Sequence, residues 1–174
     1  KRPDWFTGAV MQLLDDGLDF DVCLLGESRG NEKTFDDLRQ RLGPRCLAAG
    51  HVDSRQDYEA WLARADVVVS CAAQEYFGIA VAEAIHAGCY PVLPRDQVYP
   101  ALYGPLCRGR HFYDDPAELA DLLSTLITGD DCGHVCSLDR DVDPWCWPRL
   151  APRWDELLAE VAAGGRRASG ETRS

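Results

Sequence analysis

The sequence predicts an α/β fold with a doubly wound parallel sheet. Short apolar runs alternate with amphipathic segments along most of the 174 residues. The connections between these segments are only a few residues long. Several apolar runs are continuous, as Val67–Val69 is, which is typical of parallel strands buried on both faces. We therefore expect one Rossmann-like domain over residues 1–163, with helices on both sides of its sheet.

The first part of the chain alternates three helix signals with three strand signals. Pro3 fits a first helical turn because its missing N–H is unpaired there anyway, and Gly17 ends the apolar face that follows. Asp53 or Ser54 can cap the third helix. The predicted elements are a helix from residue 3 to about 14, a strand at 20–25, a helix around 35–42, a strand at 46–49, a helix through 58–62 and a strand at 67–69.

The remaining part continues the same alternation. The predicted elements are an almost wholly apolar helix at 78–87, a strand at 90–93, a proline-rich loop, a short strand at 111–113, a helix at 118–127 and a last helix at 147–162. We expect the apolar face of the last helix to point inward, because its members recur at helical spacing. That face consists of Trp154, Leu157, Leu158 and Val161. Residues 164–174 lack core-forming side chains and are predicted to be a disordered tail.

Composition and charge exclude several classes of protein. The net charge is −11, from 18 Lys and Arg against 29 Asp and Glu. Because affinity for nucleic acid rests largely on neutralising phosphates with basic side chains, we do not expect this chain to bind DNA or RNA alone. No apolar run approaches the ~20 residues of a transmembrane helix, and no signal-peptide pattern opens the sequence. The first residue is Lys1 rather than Met, so we expect a longer protein.

The cysteine content indicates a reducing, cytoplasmic setting. Eight cysteines in 174 residues are too few for a disulfide scaffold. Those in or beside apolar runs behave as small hydrophobes, and these are Cys23, Cys71 and Cys89. One group resembles metal ligands, namely Cys132, His134, Cys136 and Cys146. Its spacing matches no zinc pattern, so the sequence predicts no metal site.

The chemistry is concentrated in the segment after Val67–Val69. Glu75 falls in a loop, Gly78 opens the next helix, and Glu83 lies ~7.5 Å farther along the helix axis. Every other side chain from 77 to 85 is apolar or absent, so a buried Glu83 without partners would cost several kcal/mol. Glu83 therefore faces either water or a set of hydroxyl or ammonium donors.

The start of this helix has the features of an anion site. Gly78 allows backbone to approach a ligand closely, and the first N–H groups of a helix attract phosphate. Phe77 could shield the site from water. A nucleotide sugar would suit the arrangement, with its phosphate at the helix start and its diols on Glu75 and Glu83. The spacing alone leaves open that both acids are ordinary surface residues.

The pair Glu75 and Glu83, with Phe77-Gly78-Ile79 between them, resembles the acidic motif of retaining GT-B glycosyltransferases. Those enzymes have two Rossmann-like domains, and the carboxyl-terminal one holds most of the donor. The resemblance extends over nearly the whole chain, which it identifies as that donor-binding half. It implies that Glu75 receives sugar hydroxyls, that Glu83 receives the ribose, and that the N–H groups of Gly78 and Ile79 hold the phosphates.

The segment QEYFGIAVAEAIHAGCYPVLPRDQVYP is similar to the tRNA-queuosine α-mannosyltransferase group. Lys1-Arg2-Pro3 also resembles that group's Lys-x-Pro sequence, which implies that Lys1 neutralises the diphosphate. Ala101 departs from the group, which has Glu after Tyr-Pro. This resemblance implies GDP-mannose as donor, queuosine in tRNA as acceptor, and a separate amino-terminal domain that holds the RNA.

The resemblance implies a metal-independent transfer that retains the anomeric configuration. Backbone N–H groups and Lys1 would stabilise the leaving diphosphate, and Glu75 would orient the sugar. The leaving phosphate would accept the acceptor's proton, so no general base and no cofactor are expected. His51 and Val52 follow a strand end near the expected crevice, where they could contact the base or a phosphate. The isolated half is expected to be inactive.

Three other interpretations stay open. The chain could be a regulatory nucleotide-binding module without catalysis, a GT-B enzyme with a different sugar and acceptor, or an interaction scaffold. His86 is expected to be a packing residue, because it lies among Ala and Ile. Ser28, Arg29 and Gly30 are expected to form a surface loop. We expect Trp145 and Trp147 to make core or interdomain contacts.

Overall fold

The computed structural model describes residues 2–26, 30, 32–104, 110–129, 138 and 142–168, with side chains as far as residue 163. Several predictions concern residues outside these ranges. They are the role of Lys1, the loop position of Ser28 and Arg29, and the metal-like residues Cys132, His134 and Cys136.

The described elements alternate as predicted. The helices are α1 (Pro3–Asp15), α2 (Glu32–Leu42), α3 (Arg55–Leu62), α4 (Ile79–His86), α5 (Tyr99–Tyr103), α6 (Pro116–Thr128) and α7 (Trp147–Ala168). The strands are β1 (Val22–Leu25), β2 (Cys46–Gly50), β3 (Val67–Val69), β4 (Tyr90–Pro94) and β5 (Phe112–Tyr113). Short 3-10 turns at Gly43–Arg45 and Asp143–Trp145 precede β2 and α7.

All strand pairs in the described residues are parallel, which confirms the predicted α/β class. β1 pairs with β2, and β4 pairs with β3 on one side and β5 on the other. The strands thus form two hydrogen-bonded groups in this part of the chain rather than one continuous ladder. Helix α1 connects the two groups. Its Val10 packs in a core cluster with Val22 of β1, whereas its Ala9 and Leu13 pack in a second cluster with Val92 of β4.

The sheet formed by β3, β4 and β5 is covered on both faces. Val92 and Leu93 are adjacent on β4 and fully buried, yet they belong to different core clusters. Val92 packs with residues of α1 and α6, and Leu93 packs with residues of α4 and α5. Because neighbouring side chains on a strand point to opposite faces, helices lie on both sides of the sheet.

Helix α5 lies within the segment that was predicted to be a proline-rich loop. Pro100 occupies its first turn, where proline is tolerated. Tyr99 and Tyr103 lie one helical turn apart, and both rings are buried in the core above Leu93. The sequence did not predict this helix because it is short and contains a proline. Only Tyr99 and Tyr103 show the helical spacing of buried residues, and two residues do not establish a period.

The prediction that the apolar face of α7 points inward is wrong. Trp154, Leu157, Leu158 and Val161 are 49–66% exposed in the described part of the chain. The spacing correctly indicated an amphipathic helix, but it carries no information on whether a second surface is present to cover the apolar side. The helix also continues to Ala168, past the predicted start of the tail at Gly164. Residues 169–174 lie outside the described ranges.

Within the described residues, no helix combines the length and the apolar character that crossing a bilayer requires. The five cysteines that the structure describes are free thiols. Burial raises the pKa values of Cys23, Cys71 and Cys89, in keeping with their expected role as small apolar residues.

Candidate functional site

The loop that carries Glu75 begins at the carboxyl end of β3, where doubly wound sheets bind ligands. The backbone N–H of Ser70 donates to the carbonyl of Val92 at 3.0 Å, which continues the pairing with β4. The hydroxyl oxygens of Ser70 and Tyr99 are 2.8 Å apart. These contacts hold the loop against β4 and α5 before the chain turns into α4.

Glu75 turns back towards the start of α4. Its Oε1 accepts hydrogen bonds from the backbone N–H groups of Tyr76 and Gly78, both at 3.1 Å. No hydrogen bond to Oε2 occurs among the described residues. A carboxylate offers about four acceptor positions, so Glu75 retains capacity for hydroxyl donors while its orientation is held by the backbone.

Gly78 is required by two features of the chain itself. Its φ of 80° lies in the left-handed region, and an added Cβ would come within 2.9 Å of Cε1 of Tyr99. Its N–H group already donates to Glu75, so the phosphate contact implied for that group meets an occupied donor. Among the described residues no side chain caps α4, so the N–H groups of its first turn, beginning at Ile79, have no partner within the helix.

Glu83 has two protein partners, both from α3. Its Oε1 accepts from Arg55 Nη1 at 2.7 Å, and its Oε2 accepts from the hydroxyl of Tyr58 at 3.2 Å. The side chain is 28% exposed. The cost of placing a carboxylate on an apolar helix is therefore met by a guanidinium and a phenol, rather than by water alone.

Arg55 connects two carboxylates. Its Nε donates to Glu59 at 2.6 Å while its Nη1 binds Glu83. The hydrogen bonds to Glu59 and Glu83, followed by the charge of Glu83, raise the pKa of Arg55 above its ordinary value. For Tyr58, burial raises the pKa first, and the negative charge of Glu83 raises it further. Tyr58 is thus a neutral hydrogen-bond donor at physiological pH.

The sequence analysis missed Arg55 and Tyr58 as site residues. Ser54 caps α3 by accepting from the N–H of Asp57 at 2.9 Å, as one of the two predicted caps. This cap places Arg55 in the first turn of α3, and Tyr58 lies three residues later on the same face. The available signal in the sequence was a basic residue, Arg55, directly after the loop that follows β2.

The described residue nearest to Lys1 in sequence is anchored near the Glu75 loop. The N–H of Arg2 donates to the carbonyl of Cys71 at 2.8 Å, four residues before Glu75. The Arg2 guanidinium lies 4.5 Å from the ring centre of Trp5 and 3.6 Å from a carboxylate oxygen of Asp96. The amino-terminal segment therefore reaches the carboxyl end of β3, and the role of Lys1 itself stays a prediction.

The ring of Phe77 makes an aromatic contact. Its ring packs edge-on against Trp145 with centroids 5.5 Å apart, and Trp145 also lies 5.8 Å from the ring of Tyr103. Phe77 remains partly exposed, and its shielding of the start of α4 stays a prediction. Trp145 thereby makes the core contacts that the sequence analysis assigned to it.

The other expected residues lie around this segment. Val52 is half-buried and His51 is exposed in the loop between β2 and α3, directly before the turn that presents Arg55. His86 is exposed rather than packed, which corrects the expectation for it; its ring nitrogens lie 3.8 and 3.9 Å from Sγ of Cys146. His86 is the last residue of α4, and Ile85 before it is buried whereas Ala87 and Gly88 after it are exposed, so this end of the helix lies outside the core.

Two cavities of the described structure are lined by other residues. One, of about 610 Å³, runs along α2 and β2. The other, of about 260 Å³, lies between Arg2, Trp5, Arg95 and Asp96 at the carboxyl end of β4. The segment from Glu75 to Glu83 lines neither cavity, and within it Gly78 and Val81 are buried.

Comparison with known proteins gives a family for this chain. The family model for glycosyl transferases group 1 matches residues 1–129, which include both acids and all elements from α1 to α6. The tRNA-queuosine alpha-mannosyltransferase of Drosophila melanogaster is 36% identical over 104 residues, which make up 59% of this chain and 27% of that protein. No solved structure matches the chain.

The family model covers well over half of the chain, and the described fold is the parallel α/β architecture expected for one Rossmann-like half of a GT-B enzyme. The aligned part spans about a quarter of the length of the Drosophila relative. The chain belongs to the family of group 1 glycosyl transferases.

Proposed function

We propose that this chain is the donor-binding half of an enzyme that transfers mannose from GDP-mannose to queuosine in tRNA, with retention of the anomeric configuration. The observation that carries the proposal is the placement of the two acids. Glu75 is hydrogen-bonded to the backbone at the start of α4, and Glu83 is presented towards α3 from farther along that helix. The choice of mannose and queuosine follows the name of the Drosophila relative.

In this proposal the diphosphate lies at the start of α4. The N–H groups of the first turn, beginning at Ile79, donate to it, and Lys1 supplies a positive charge. Gly78 contributes through its backbone shape, since its N–H is engaged by Glu75. Phe77 covers one side of the diphosphate, where water would otherwise weaken these interactions.

The sugar and the ribose are held by the two acids. Glu75 keeps its Oε2 for the hydroxyls of the transferred sugar. Glu83 shares its carboxylate between Arg55 and the ribose diol, since two of about four acceptor positions are used by Arg55 and Tyr58. Val52 lies in the loop after β2, before Arg55 and Tyr58 in sequence. In this proposal it packs against the nucleoside.

The chemistry we propose is electrostatic and independent of a metal. Preorganised N–H donors and Lys1 stabilise the negative charge that develops on the leaving diphosphate. Glu75 orients the sugar, and the leaving phosphate accepts the proton of the attacking acceptor hydroxyl. The acidic net charge of −11 disfavours tRNA binding by this chain, so the RNA is held by an amino-terminal GT-B domain.

The test uses the intact protein with GDP-mannose and tRNA that either carries or lacks queuosine. We expect mannose transfer only to the queuosine tRNA, with equal rates with and without added Mg²⁺ or Mn²⁺, and an α-linked product by NMR. Failure of transfer from every nucleotide sugar would contradict the enzymatic assignment. Transfer of another sugar, or to another acceptor, would contradict the specificity alone.

The two acids predict distinct kinetic defects. Glu75→Gln removes the charge that orients the sugar, so we expect kcat to fall by roughly 10²-fold or more with little change in nucleotide affinity. Glu83→Gln loses the ribose contact, and we expect it mainly to raise KM for the donor. Glu59→Gln is the matched control, because Glu59 contacts Arg55 but belongs to α3. Normal transfer by both variants would contradict the assignment of the site.

A nucleotide-binding module without catalysis is the second candidate. The internal partners of both acids favour it, since the site is partly satisfied by the chain's own Arg55 and backbone N–H groups. Calorimetric titration of the intact protein with nucleoside diphosphates separates the candidates. Binding without any sugar transfer would support the module, and absence of binding to every nucleotide would support a scaffold.

A further inference from the structure

We propose that His86, Asp143 and Cys146 form a binding site for a divalent transition metal of the zinc class. Each residue offers one ligand atom, and the three atoms lie within 4.8 Å of one another. These residues come from two separate elements, the end of α4 and the 3-10 turn Asp143–Trp145 with the residue that follows it. The proposal does not depend on the function proposed above.

The spacing of the ligand atoms suits a tetrahedral ion. Sγ of Cys146 lies 3.8 Å from Nδ1 and 3.9 Å from Nε2 of His86. In a tetrahedral zinc site, bond lengths of ~2.3 Å to sulfur and ~2.0 Å to nitrogen place these two ligands about 3.6 Å apart. The sulfur and the ring are therefore close, but Sγ is almost equidistant from both ring nitrogens, so the exposed imidazole must rotate to direct one nitrogen at a shared ion. An oxygen of Asp143 lies within 4.8 Å of the other two ligand atoms.

The backbone that presents the ligands is tied to the core. The N–H of Cys146 donates to the carbonyl of Asp143 at 3.0 Å, so the turn itself sets the spacing of these two ligands. Val142, which precedes the turn, is buried in the same core cluster as Ile85, which precedes His86. Trp145, inside the turn, contacts the same cluster. The juxtaposition thus follows from buried contacts on both sides of the site.

The donor set selects the class of metal. A thiolate and an imidazole favour zinc and similar ions over magnesium or calcium, which prefer oxygen ligands. One thiolate and one carboxylate also balance a double positive charge. Three protein ligands leave one tetrahedral position for water. Arg149 Nε contacts Oδ2 of Asp143 at 3.3 Å, but both side chains are exposed, and such pairs are weak.

A metal here would fasten the turn that carries Trp145 to the end of α4. Trp145 packs against Phe77, which precedes the other end of the same helix. The site lies about 11 Å along the helix axis from Ile79, at a rise of ~1.5 Å per residue. The ion would therefore stabilise one wall of the segment that contains Glu75 and Glu83 without touching a substrate.

The test is a titration of the intact, reduced protein with Co²⁺ followed by absorption spectroscopy, and with Zn²⁺ against a chromophoric chelator. We expect a sulfur-to-cobalt charge-transfer band and displacement of cobalt by zinc. Cys146→Ser should abolish that band, and both Cys146→Ser and His86→Gln should weaken zinc binding by tenfold or more. Asp143→Asn, which keeps the side-chain volume, should weaken zinc binding less.

Cys46→Ser and His51→Gln are the matched controls, because they remove a half-buried thiol and an exposed imidazole elsewhere. Both should keep the charge-transfer band and the zinc affinity of the unsubstituted protein. Circular dichroism and the zinc-dependent rise in Tm check folding, and this rise should disappear in His86→Gln. The proposal is overturned if the unsubstituted protein binds no zinc, or if Cys146→Ser and His86→Gln keep its affinity and spectrum.

Discussion

At the scale of single residues, the site depends on side chains whose partners are supplied by the chain itself. Glu83 is balanced by Arg55 and Tyr58, and Glu75 is held by two backbone N–H groups. These contacts orient both carboxylates before any ligand arrives. Preorganisation of this kind reduces the side-chain conformational entropy that is lost when a ligand binds.

Gly78 provides a stability prediction at this scale. Gly78→Ala meets both an unfavourable positive φ and a 2.9 Å contact with Tyr99, so we expect a loss of about 2–4 kcal/mol in the free energy of unfolding. Gly17→Ala has a similar φ of 77° and no atom within 4 Å of the added Cβ, so it should cost only about 1 kcal/mol. Denaturant unfolding of both variants measures the difference, and equal losses would show that the Tyr99 contact relaxes freely.

Tyr103 provides a pH prediction. Among the described residues its hydroxyl is buried without a hydrogen-bond partner, and burial, with a smaller effect of Tyr99, raises the pKa of Tyr103 to about 12. An unfolded tyrosine has a pKa of about 10. The unfolded chain therefore loses this proton first as the pH rises, and stability should be complete below about pH 10 and fall progressively towards about pH 12.

Tyr103→Phe should remove part of that alkaline loss. It should also raise the free energy of unfolding at neutral pH by about 1 kcal/mol, since it deletes an unpaired buried hydroxyl. Tyr99→Phe is the matched control: it breaks the hydrogen bond with Ser70 and should destabilise the protein by a similar amount. Denaturant unfolding between about pH 7 and pH 11 follows both effects. A destabilised Tyr103→Phe would mean that the hydroxyl has a partner.

At the scale of elements, helical periodicity identifies helices better than it identifies what they bury. Helices α6 and α7 are both amphipathic, yet Leu122 of α6 is buried whereas Leu158 of α7 is exposed. The same pattern in sequence thus has different consequences, because burial depends on which surfaces the fold brings against each helix. α5 shows the converse, since its two buried tyrosines are too few to reveal a period.

The difference between α6 and α7 predicts different costs of truncation. Leu122→Ala should lower the free energy of unfolding by about 2–5 kcal/mol, because it leaves a cavity in the core. Leu158→Ala should change it by less than about 0.5 kcal/mol in this chain. Denaturant unfolding of the 174-residue chain measures both. A large loss in Leu158→Ala would show that the apolar face of α7 is covered in solution.

At the scale of the whole molecule, the parallel architecture was predictable because strands and helices alternate with short connections. Val67–Val69 and Tyr90–Pro94 lie close to their predicted positions, and the faces of β4 separate two cores as a doubly wound sheet requires. The division of the strands into two hydrogen-bonded groups was not predictable. It is a property of the tertiary packing, in which α1 contacts the cores beside both groups.

The sequence by itself determined the order of elements, the α/β class, the spacing of Glu75 and Glu83 and the family resemblance, since each is a local or periodic property of the chain. Only the tertiary structure decided which donors meet Glu83, which face of α7 stays exposed, and that His86 lies beside Cys146. The partners in these contacts are 28 residues apart for Arg55 and Glu83 and 60 apart for His86 and Cys146. No local preference encodes such pairs, because they form only when the sheet and its helices bring distant segments together.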